Sequence, residues 1–110
     1  MNIKAREEGN VSVVAVEGDL DARSAMGLKL ALNEKIEAGN VRILVDLSEV
    51  PYVDAAGLGV LVSGFKNATR QSGDLRLCGL QPDVKSLFEL TRLNKVFQIF
   101  EDSSSALASF

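Results

Sequence analysis

The sequence predicts a single α/β domain with a mixed, largely parallel sheet and helices packed on it. Segments with strand character alternate with segments of helical spacing, in the order β-β-α-β-α-β-α-β-α. The run from Val41 to Leu47 is apolar except for Arg42 and Asp46, as expected of a strand covered on both faces through its middle. A length of 110 residues suits one domain, residues 1–110, with one core.

The first half of the chain is predicted to form a hairpin, a loop and a helix before the buried strand. Residues 2 to 17 form the hairpin, with its turn at Glu8-Gly9-Asn10. The loop is Gly18-Asp19-Leu20-Asp21, and Asp21 is a candidate cap for the first helix. That helix ends at Gly39-Asn40. Its apolar stripe consists of Ala25, Leu28, Leu32 and Ile36.

The second half begins with a loop and the longest predicted helix. The loop runs from Ser48 to Val53, and the helix runs from about Asp54 to Ser72, where Gly73 stops it. Leu75 to Leu80 is predicted to be the next strand.

Shorter elements complete the chain. Pro82 begins a third helix, because proline suits the first helical position, and this helix turns Val84, Leu87 and Phe88 inward. A short strand follows at Val96 to Phe100. A last short helix, capped by Asp102 or Ser103, carries Leu107 and Phe110.

The other elements are arranged around the helix that follows Asp54. Asp54 is its natural N-cap, because the carboxylate can accept hydrogen bonds from the free N–H groups of the first turn. The predicted core stripe repeats at i, i+3, i+4 and i+7 and consists of Leu58, Leu61, Val62 and Phe65.

The opposite face of this helix carries no charge until Arg70, although a solvated face would normally carry Lys and Glu. Its residues are small or weakly polar: Ala56, Gly59, Val60, Ser63 and Asn67. The helix also contains Gly57, Gly59 and Gly64, although a helical glycine costs roughly 1 kcal/mol relative to alanine. The glycines either form a flat surface for another protein or let the helix pack closely on its own sheet. On these features alone the two interpretations are equally supported.

Composition excludes several function classes. The chain has no His, so it has no His-based triad and no imidazole base or metal ligand. Its single Cys78 cannot form an internal disulfide or a zinc site and fits a reducing cytoplasm. Gly57-Leu58-Gly59 lacks the third glycine of a dinucleotide fingerprint and the Gly-Lys-Ser/Thr of a phosphate loop. The sequence thus predicts no catalytic residue, metal or cofactor.

Charge argues against two kinds of partner. A net charge of −3 without any Lys/Arg run is unfavourable for binding nucleic acid or an anionic membrane. The start of the sequence leads into charge rather than into an apolar segment, so no signal peptide is expected. Four carboxylates, of Asp19, Asp21, Asp46 and Asp54, could gather at one edge and hold a cation. The simpler interpretation is that Asp21 and Asp54 cap helices and that the others are solvated.

Two segments resemble the signature of STAS domains, and most closely that of bacterial anti-sigma factor antagonists. They are Asp46-Leu47-Ser48 and Val53-Asp54-Ala55-Ala56-Gly57-Leu58-Gly59-Val60-Leu61. The length, the element order and the loop at Gly18-Asp19-Leu20-Asp21 also fit, so the resemblance covers nearly the whole chain. It implies the STAS fold and a cytoplasmic role in transcription regulation.

The resemblance also implies a partner and a switch. In this family an anti-sigma factor with a serine kinase domain binds beside this helix. It phosphorylates a Ser or Thr in the pair between the Asp and the Gly-Leu-Gly, which releases the antagonist, and a phosphatase restores it. Unphosphorylated antagonist frees the sigma factor. The resemblance favours the docking interpretation of the small-residue face. We expect the partner-binding residues to be Asp19, Asp54, Gly57, Gly59, Val60, Ser63 and Asn67.

The chain departs from the family pattern at the acceptor pair. Ala55 and Ala56 occupy both positions, and alanine has no hydroxyl to phosphorylate. Either a natural member has lost the switch, or a Ser→Ala substitution holds the protein unphosphorylated. Alanine also simply suits a first helical turn.

Two further classes stay open. A STAS domain can be a constitutive docking subunit of a transport or signalling assembly, which needs no phosphorylation. A small α/β enzyme or nucleotide-binding module is the other, although the missing His and phosphate loop weigh against it.

Overall fold

The computed structural model describes all 110 residues and confirms the predicted order of elements. The strands are β1 (Asn2–Glu8), β2 (Val11–Glu17), β3 (Arg42–Glu49), β4 (Asp74–Cys78) and β5 (Ile99–Phe100). The helices are α1 (Ala25–Glu37), α2 (Ala55–Arg70), α3 (Pro82–Leu90) and α4 (Ser103–Ser109). A short 3₁₀ turn, Leu93–Lys95, lies between α3 and β5.

The five strands form one mixed sheet in the order β1-β2-β3-β4-β5. The hairpin pair β1 and β2 is antiparallel, and each later strand is parallel to its neighbour. Gly9 closes the hairpin with φ 62°, a left-handed conformation that glycine adopts without steric cost. The mixed, largely parallel sheet predicted from the sequence is confirmed.

The helices cover the two faces of the sheet unequally. Side chains of α1, α2 and α3 share the larger core with one face of β2, β3 and β4. On the other face, α4 buries Ala106 against Val13, Leu44 and Cys78. Strand β3 is therefore covered on both sides, as its near-continuous apolar sequence predicted. The consecutive residues Ile43, Leu44 and Val45 are all fully buried.

The prediction for the core face of α2 needs a correction. Leu61 is fully buried as predicted, but Leu58, Val62 and Phe65 are only half-buried. The line that contacts the sheet consists mainly of small residues: Gly57, Leu61, Gly64 and Ala68. A Cβ atom on Gly64 would lie 2.9 Å from Leu32 Cδ1 and 3.1 Å from Leu75 Cδ1. Close approach of α2 to α1 and β4 thus turns the larger side chains towards the flank of the helix.

The end of α2 also differs from the prediction. Ser72 rather than Gly73 adopts the left-handed conformation, with φ 64°. The N–H of Gly73 still donates to Ala68 O at 2.9 Å, which satisfies a carbonyl in the last turn of the helix. Gly73 is required for another reason, because a Cβ atom there would overlap the carbonyl oxygen of Val41.

The last third of the chain is less regular than predicted. Strand β4 ends at Cys78 rather than Leu80, and β5 contains only Ile99 and Phe100. Val96 is 45% exposed because residues 93–95 form the 3₁₀ turn instead of a strand. In α3, Val84 and Phe88 are buried as predicted, and Leu87 is half-buried. In α4 the buried residue is Ala106, whereas Leu107 and Phe110 are half-buried.

Candidate functional site

Two loops meet at the edge of the sheet where the parallel strands β2 and β3 end. The backbone N–H of Leu20 donates to Tyr52 O at 2.9 Å, and that of Asp54 donates to Leu20 O at 3.1 Å. Leu20 and Val53 thereby form an isolated parallel bridge. In open sheets with parallel strands, sites form at such an edge. The bridge brings the loop before α1 next to the N-terminus of α2.

The carboxylate of Asp54 connects these two loops. Its Oδ1 atom accepts a hydrogen bond from the backbone N–H of Gly57 at 3.0 Å, which confirms Asp54 as the N-cap of α2. Its Oδ2 atom accepts a second hydrogen bond, from the backbone N–H of Ala22 at 3.1 Å. One side chain therefore orients both the start of α2 and the segment that leads into α1.

Asp21 caps a turn rather than the first helix, which corrects the sequence prediction. Helix α1 begins at Ala25 with Ser24 at its N-cap, three residues beyond Asp21. The Oδ1 atom of Asp21 accepts from the backbone N–H of Arg23 at 3.0 Å, and its Oδ2 atom accepts from Arg23 Nη2 at 3.0 Å. The side-chain hydrogen bond from Arg23 lowers the pKa of this carboxyl.

The four aspartates do not form a cation site. No group of three or more carboxylate or thiol side chains lies close enough together to hold a metal ion. Asp54 and Asp21 are occupied by the N–H donors described above, and Asp46 Oδ1 accepts from Ser48 N at 2.9 Å. Asp19 is exposed. Of the simpler interpretation, the helix cap at Asp54 is confirmed, whereas Asp21 caps a turn instead of a helix.

Some glycines of α2 allow close packing within the domain, and another is free to form a surface for a partner protein. Gly57 is buried, and a Cβ atom there would lie 2.6 Å from Leu20 O and 2.8 Å from Leu20 Cγ. Gly57 therefore allows close packing inside the domain, and it lies beneath the exposed face of α2 instead of on it. Gly59 is exposed, and a Cβ atom there would have no other heavy atom within 4 Å. Of the three glycines of α2, only Gly59 has no packing role.

The remaining predicted residues share an accessible side of α2. Ala55 and Ala56 are both exposed in the first helical turn, and Val60 and Ser63 are partly exposed. Asn67, also partly exposed, accepts a hydrogen bond from Arg70 Nη1 at 3.2 Å. The side of α2 that carries Val60, Ser63 and Asn67 faces α1. Phe65 lies on the opposite flank of α2, where its ring contacts that of Phe97 with centroids 5.2 Å apart. The flank with Val60, Ser63 and Asn67 therefore lies on the side of α1.

Sequence reasoning missed two residues beside this surface. Met26 and Leu30 of α1 are 59% and 62% exposed. They are apolar and four residues apart, but they lie outside the stripe that packs on the sheet. An apolar i, i+4 pair outside the core stripe was the signal available in the sequence.

Cys78 is a core residue, as expected from its place in a strand. It is fully buried in β4 and belongs to the cluster beneath α4. Burial, and to a smaller extent the carboxylates of Asp46 and Asp102, raise the pKa of its thiol to about 12. A thiol in this state is a poor nucleophile at neutral pH.

The chain belongs to the STAS domain family, whose family model matches residues 2–106. It is 34% identical over 99 residues to the anti-sigma-B factor antagonist of Listeria monocytogenes, covering 90% of this chain and 86% of the relative. It is 31% identical over 107 residues to the anti-sigma-B factor antagonist of Bacillus subtilis, covering 97% of each chain. The family resemblance found in the sequence is thus confirmed.

Solved structures share the fold at lower identity. An anti-sigma factor antagonist from Mycobacterium paratuberculosis superposes with a TM-score of 0.90 at 24% identity, covering 98% of this chain and 92% of that one. The Bacillus cell fate determinant SpoIIAA in its phosphorylated form gives 0.78 at 14% identity, covering 98% of both. A sulfate transporter family protein from Wolinella succinogenes gives 0.81 at 20% identity, covering 93% and 85%. Within this chain, no helix combines the length and apolar character needed to cross a membrane.

Proposed function

We propose that this chain is a cytoplasmic anti-sigma factor antagonist. It binds an anti-sigma factor that carries a serine kinase domain, and this binding frees the sigma factor for transcription. The observation that carries the proposal is the accessible side of α2 next to Asp54, which has no charged residue from Ala55 to Phe65 and where Gly59 makes no packing contact within the chain. The names of relatives up to 34% identical support the same role.

The docking face of this proposal consists of Asp19, Asp54, Gly59, Val60, Ser63 and Asn67. Small side chains there let the partner's backbone approach α2 closely. Gly59, at the centre of the face, has no side chain to keep the partner away. Gly57 contributes indirectly, because its contact with Leu20 fixes the loop that carries Asp19.

The protein in this form lacks the phosphorylation switch. Ala55 and Ala56 are the first two residues of α2, and both are exposed, so a hydroxyl at either position would be open to a kinase. A protein of the same fold is known in a phosphorylated form, which supports a switch in relatives that have the hydroxyl. Without it, the kinase has no acceptor in this pair and a phosphatase has no substrate there.

Electrostatics explains how phosphorylation would release a relative that carries the hydroxyl. A phosphate adds about −1.5 to −2 charge, which the N-terminus of a helix tolerates. It would stand beside the carboxylate of Asp54, whose two oxygens already accept hydrogen bonds from Gly57 and Ala22. The helix would stay folded, whereas the bound partner would have no group to compensate the charge of the phosphate, and binding would weaken. Release therefore follows from mismatch at the interface rather than from unfolding.

A second candidate function is a constitutive docking subunit of a transport or signalling assembly. It is favoured by the alanine pair, which such a subunit can tolerate, and by the shared fold of the sulfate transporter family protein. Both candidates are binding functions rather than enzymatic ones. The chain has no His, and its only thiol is buried with a raised pKa.

Affinity capture separates the candidates. The chain is immobilised and exposed to a cytoplasmic extract of its source, and retained proteins are identified by mass spectrometry. An immobilised Gly59→Glu variant is the matched control. Retention of a kinase-type anti-sigma factor by the chain, but not by the control, supports the antagonist. Retention of a transporter component instead supports the docking subunit, and retention of neither contradicts both.

A further inference from the structure

We infer that the surface bound by the anti-sigma factor extends from α2 onto α1, where Met26 and Leu30 are its apolar anchors. The inference rests on the proposed function and adds a second helix to the same site. Met26 is 59% exposed and Leu30 is 62% exposed. They are four residues apart in one helix and so lie on the same side. No other two strongly exposed large apolar side chains of the chain share a helix face in this way.

Contacts on the other flank of α1 establish which way these two side chains lie. Lys35 pairs with Glu7 of β1 at 3.2 Å, and a Cβ atom on Gly27 would lie 3.6 Å from Met1 Cε. That flank therefore faces β1. Helical spacing puts Met26 and Leu30 on the flank away from β1. Because α1 packs beside α2 on the same face of the sheet, this flank borders α2.

The facing side of α2 carries no charged residue from Ala55 to Phe65. Phe65 occupies the flank of α2 that faces Phe97, so Val60 and Ser63 border the groove towards α1. Gly59 beside them is exposed and has no neighbour within 4 Å of an ideal Cβ position. The groove between the helices thus has an apolar wall on α1 and small side chains on α2. The exposed side chain of Lys29 also borders this groove on α1, so a partner that enters it meets one cation there.

Charges at the two ends of this groove define the partner that fits. The loop end carries Asp19, Asp21 and Asp54, and Arg23 pairs with one of these carboxylates. The opposite end carries exposed charges of both signs, with Lys66 and Arg70 on α2 and Glu34 and Glu37 on α1. The complementary surface of the anti-sigma factor has basic groups facing the loops, apolar side chains in the middle and charges of both signs at the far end.

The size of the apolar area favours a partner that binds reversibly. A stable protein interface buries about 800 Å² on each partner, far more than two side chains can supply. Met26 and Leu30 therefore add to the α2 contact without making the surface suited to a permanent dimer of this chain. Reversible binding is what an antagonist of an anti-sigma factor requires.

The test measures the affinity for the purified anti-sigma factor that the unmodified chain captures. Met26→Arg and Leu30→Arg each place a charge in the groove while keeping a good helix former. We expect each substitution to raise the Kd about tenfold or more in calorimetric titration. Leu90→Arg is the matched control, because Leu90 is 83% exposed on α3, beyond the opposite flank of α2. It should leave the Kd unchanged, and far-ultraviolet circular dichroism should be the same for all variants.

Three outcomes would overturn the inference in distinguishable ways. If both α1 variants bind like the unmodified chain while Ser63→Arg abolishes binding, the extension onto α1 is wrong and the proposed function stands. If the unmodified chain binds no anti-sigma factor, the proposed function itself fails. If sedimentation shows that the unmodified chain is a dimer and that Leu30→Arg makes it monomeric without altering the Kd, the occupant is a second copy of this chain.

Discussion

The Oδ2 atom of Asp54 lies 3.1 Å from the backbone nitrogen of Ala22, so the N-cap of α2 also holds the loop that leads into α1. The other carboxylate oxygen lies 3.0 Å from the backbone nitrogen of Gly57. A carboxylate can accept at both oxygens at once, whereas an amide or hydroxyl side chain cannot reproduce this pair of contacts. The candidate docking site therefore depends on one side chain for the relative placement of its two loops.

Removing this carboxylate should destabilise the domain measurably. We expect Asp54→Ala to lower the free energy of unfolding by about 1–2 kcal/mol, because it removes an N-cap and a loop contact together. Asp54→Asn should cost less, since its amide oxygen can still cap Gly57. The measurement is urea unfolding followed by circular dichroism. Asp19→Ala serves as the control and should stay within about 0.5 kcal/mol of the unmodified chain. Equal stability of Asp54→Ala would refute the role of this contact.

The same substitution at two glycines of α2 should have opposite effects. Gly57→Ala should destabilise the domain by about 1–3 kcal/mol, because the added methyl group would meet the backbone carbonyl of Leu20. Gly59→Ala should stabilise it by about 0.5–1 kcal/mol, because there the methyl group meets nothing and alanine favours the helix. Thermal unfolding of both variants checks the sign of each effect. Destabilisation by Gly59→Ala would mean that this position is packed.

The docking face can be tested separately from the fold. Ser63→Arg and Gly59→Glu each place a charge on the accessible side of α2, so we expect loss of partner binding with an unchanged circular dichroism spectrum. Leu61→Asp should instead unfold the protein, because Leu61 is fully buried and a carboxylate there would have no partner. Normal binding by either surface variant, or its unfolding, would show that the face is wrongly assigned.

The buried thiol makes stability depend on alkaline pH. The pKa of Cys78 is raised to about 12, above that of a thiol in the unfolded chain. Between about pH 9 and 12 the unfolded chain has lost this proton while the folded chain keeps it, so folding stability falls as the pH rises. A Cys78→Ala variant should lose less stability over this range than the unmodified chain. Below pH 8 the folded thiol should resist iodoacetamide, and the urea-unfolded chain should react. Rapid modification of folded protein would contradict its burial.

Sequence periodicity predicted the start of α2 correctly, but it predicted less well which side chains of α2 face the core. Its N-cap and the burial of Leu61 were predicted correctly, because both follow from local spacing. The half-buried positions of Leu58 and Phe65 could not be predicted, since periodicity treats large apolar residues as the innermost ones. In this fold Gly64 allows α2 to approach Leu32 so closely that larger side chains move to the flank.

The remaining differences have the same tertiary origin. The turn before α1 depends on the contact between Asp54 and Ala22, two residues far apart in the chain, so a local pattern alone assigned Asp21 to the helix itself. The left-handed Ser72 directly precedes Gly73, which passes close to Val41 of a distant segment. Met26 and Leu30 were overlooked because the exposed side of a helix is normally judged by its charges.

The alanine pair is central to the proposed function, and changing it should restore a phosphate acceptor. Ala55→Ser or Ala56→Ser costs under roughly 0.7 kcal/mol of helix propensity, so both variants should fold. Both positions are exposed, and the added hydroxyl would be accessible to a bound kinase. In the chain as it stands, the nearest hydroxyls in sequence, those of Ser48, Tyr52 and Ser63, all lie outside the acceptor pair.

The most direct test of the account is the intact mass of the protein after incubation with the captured anti-sigma factor and ATP. The unmodified chain should bind this kinase and keep its mass, whereas at least one of Ala55→Ser and Ala56→Ser should gain one phosphate and leave the complex sooner. A phosphate-sized gain on the unmodified chain would contradict the account, as would the failure of both serine variants to gain phosphate while still binding the kinase.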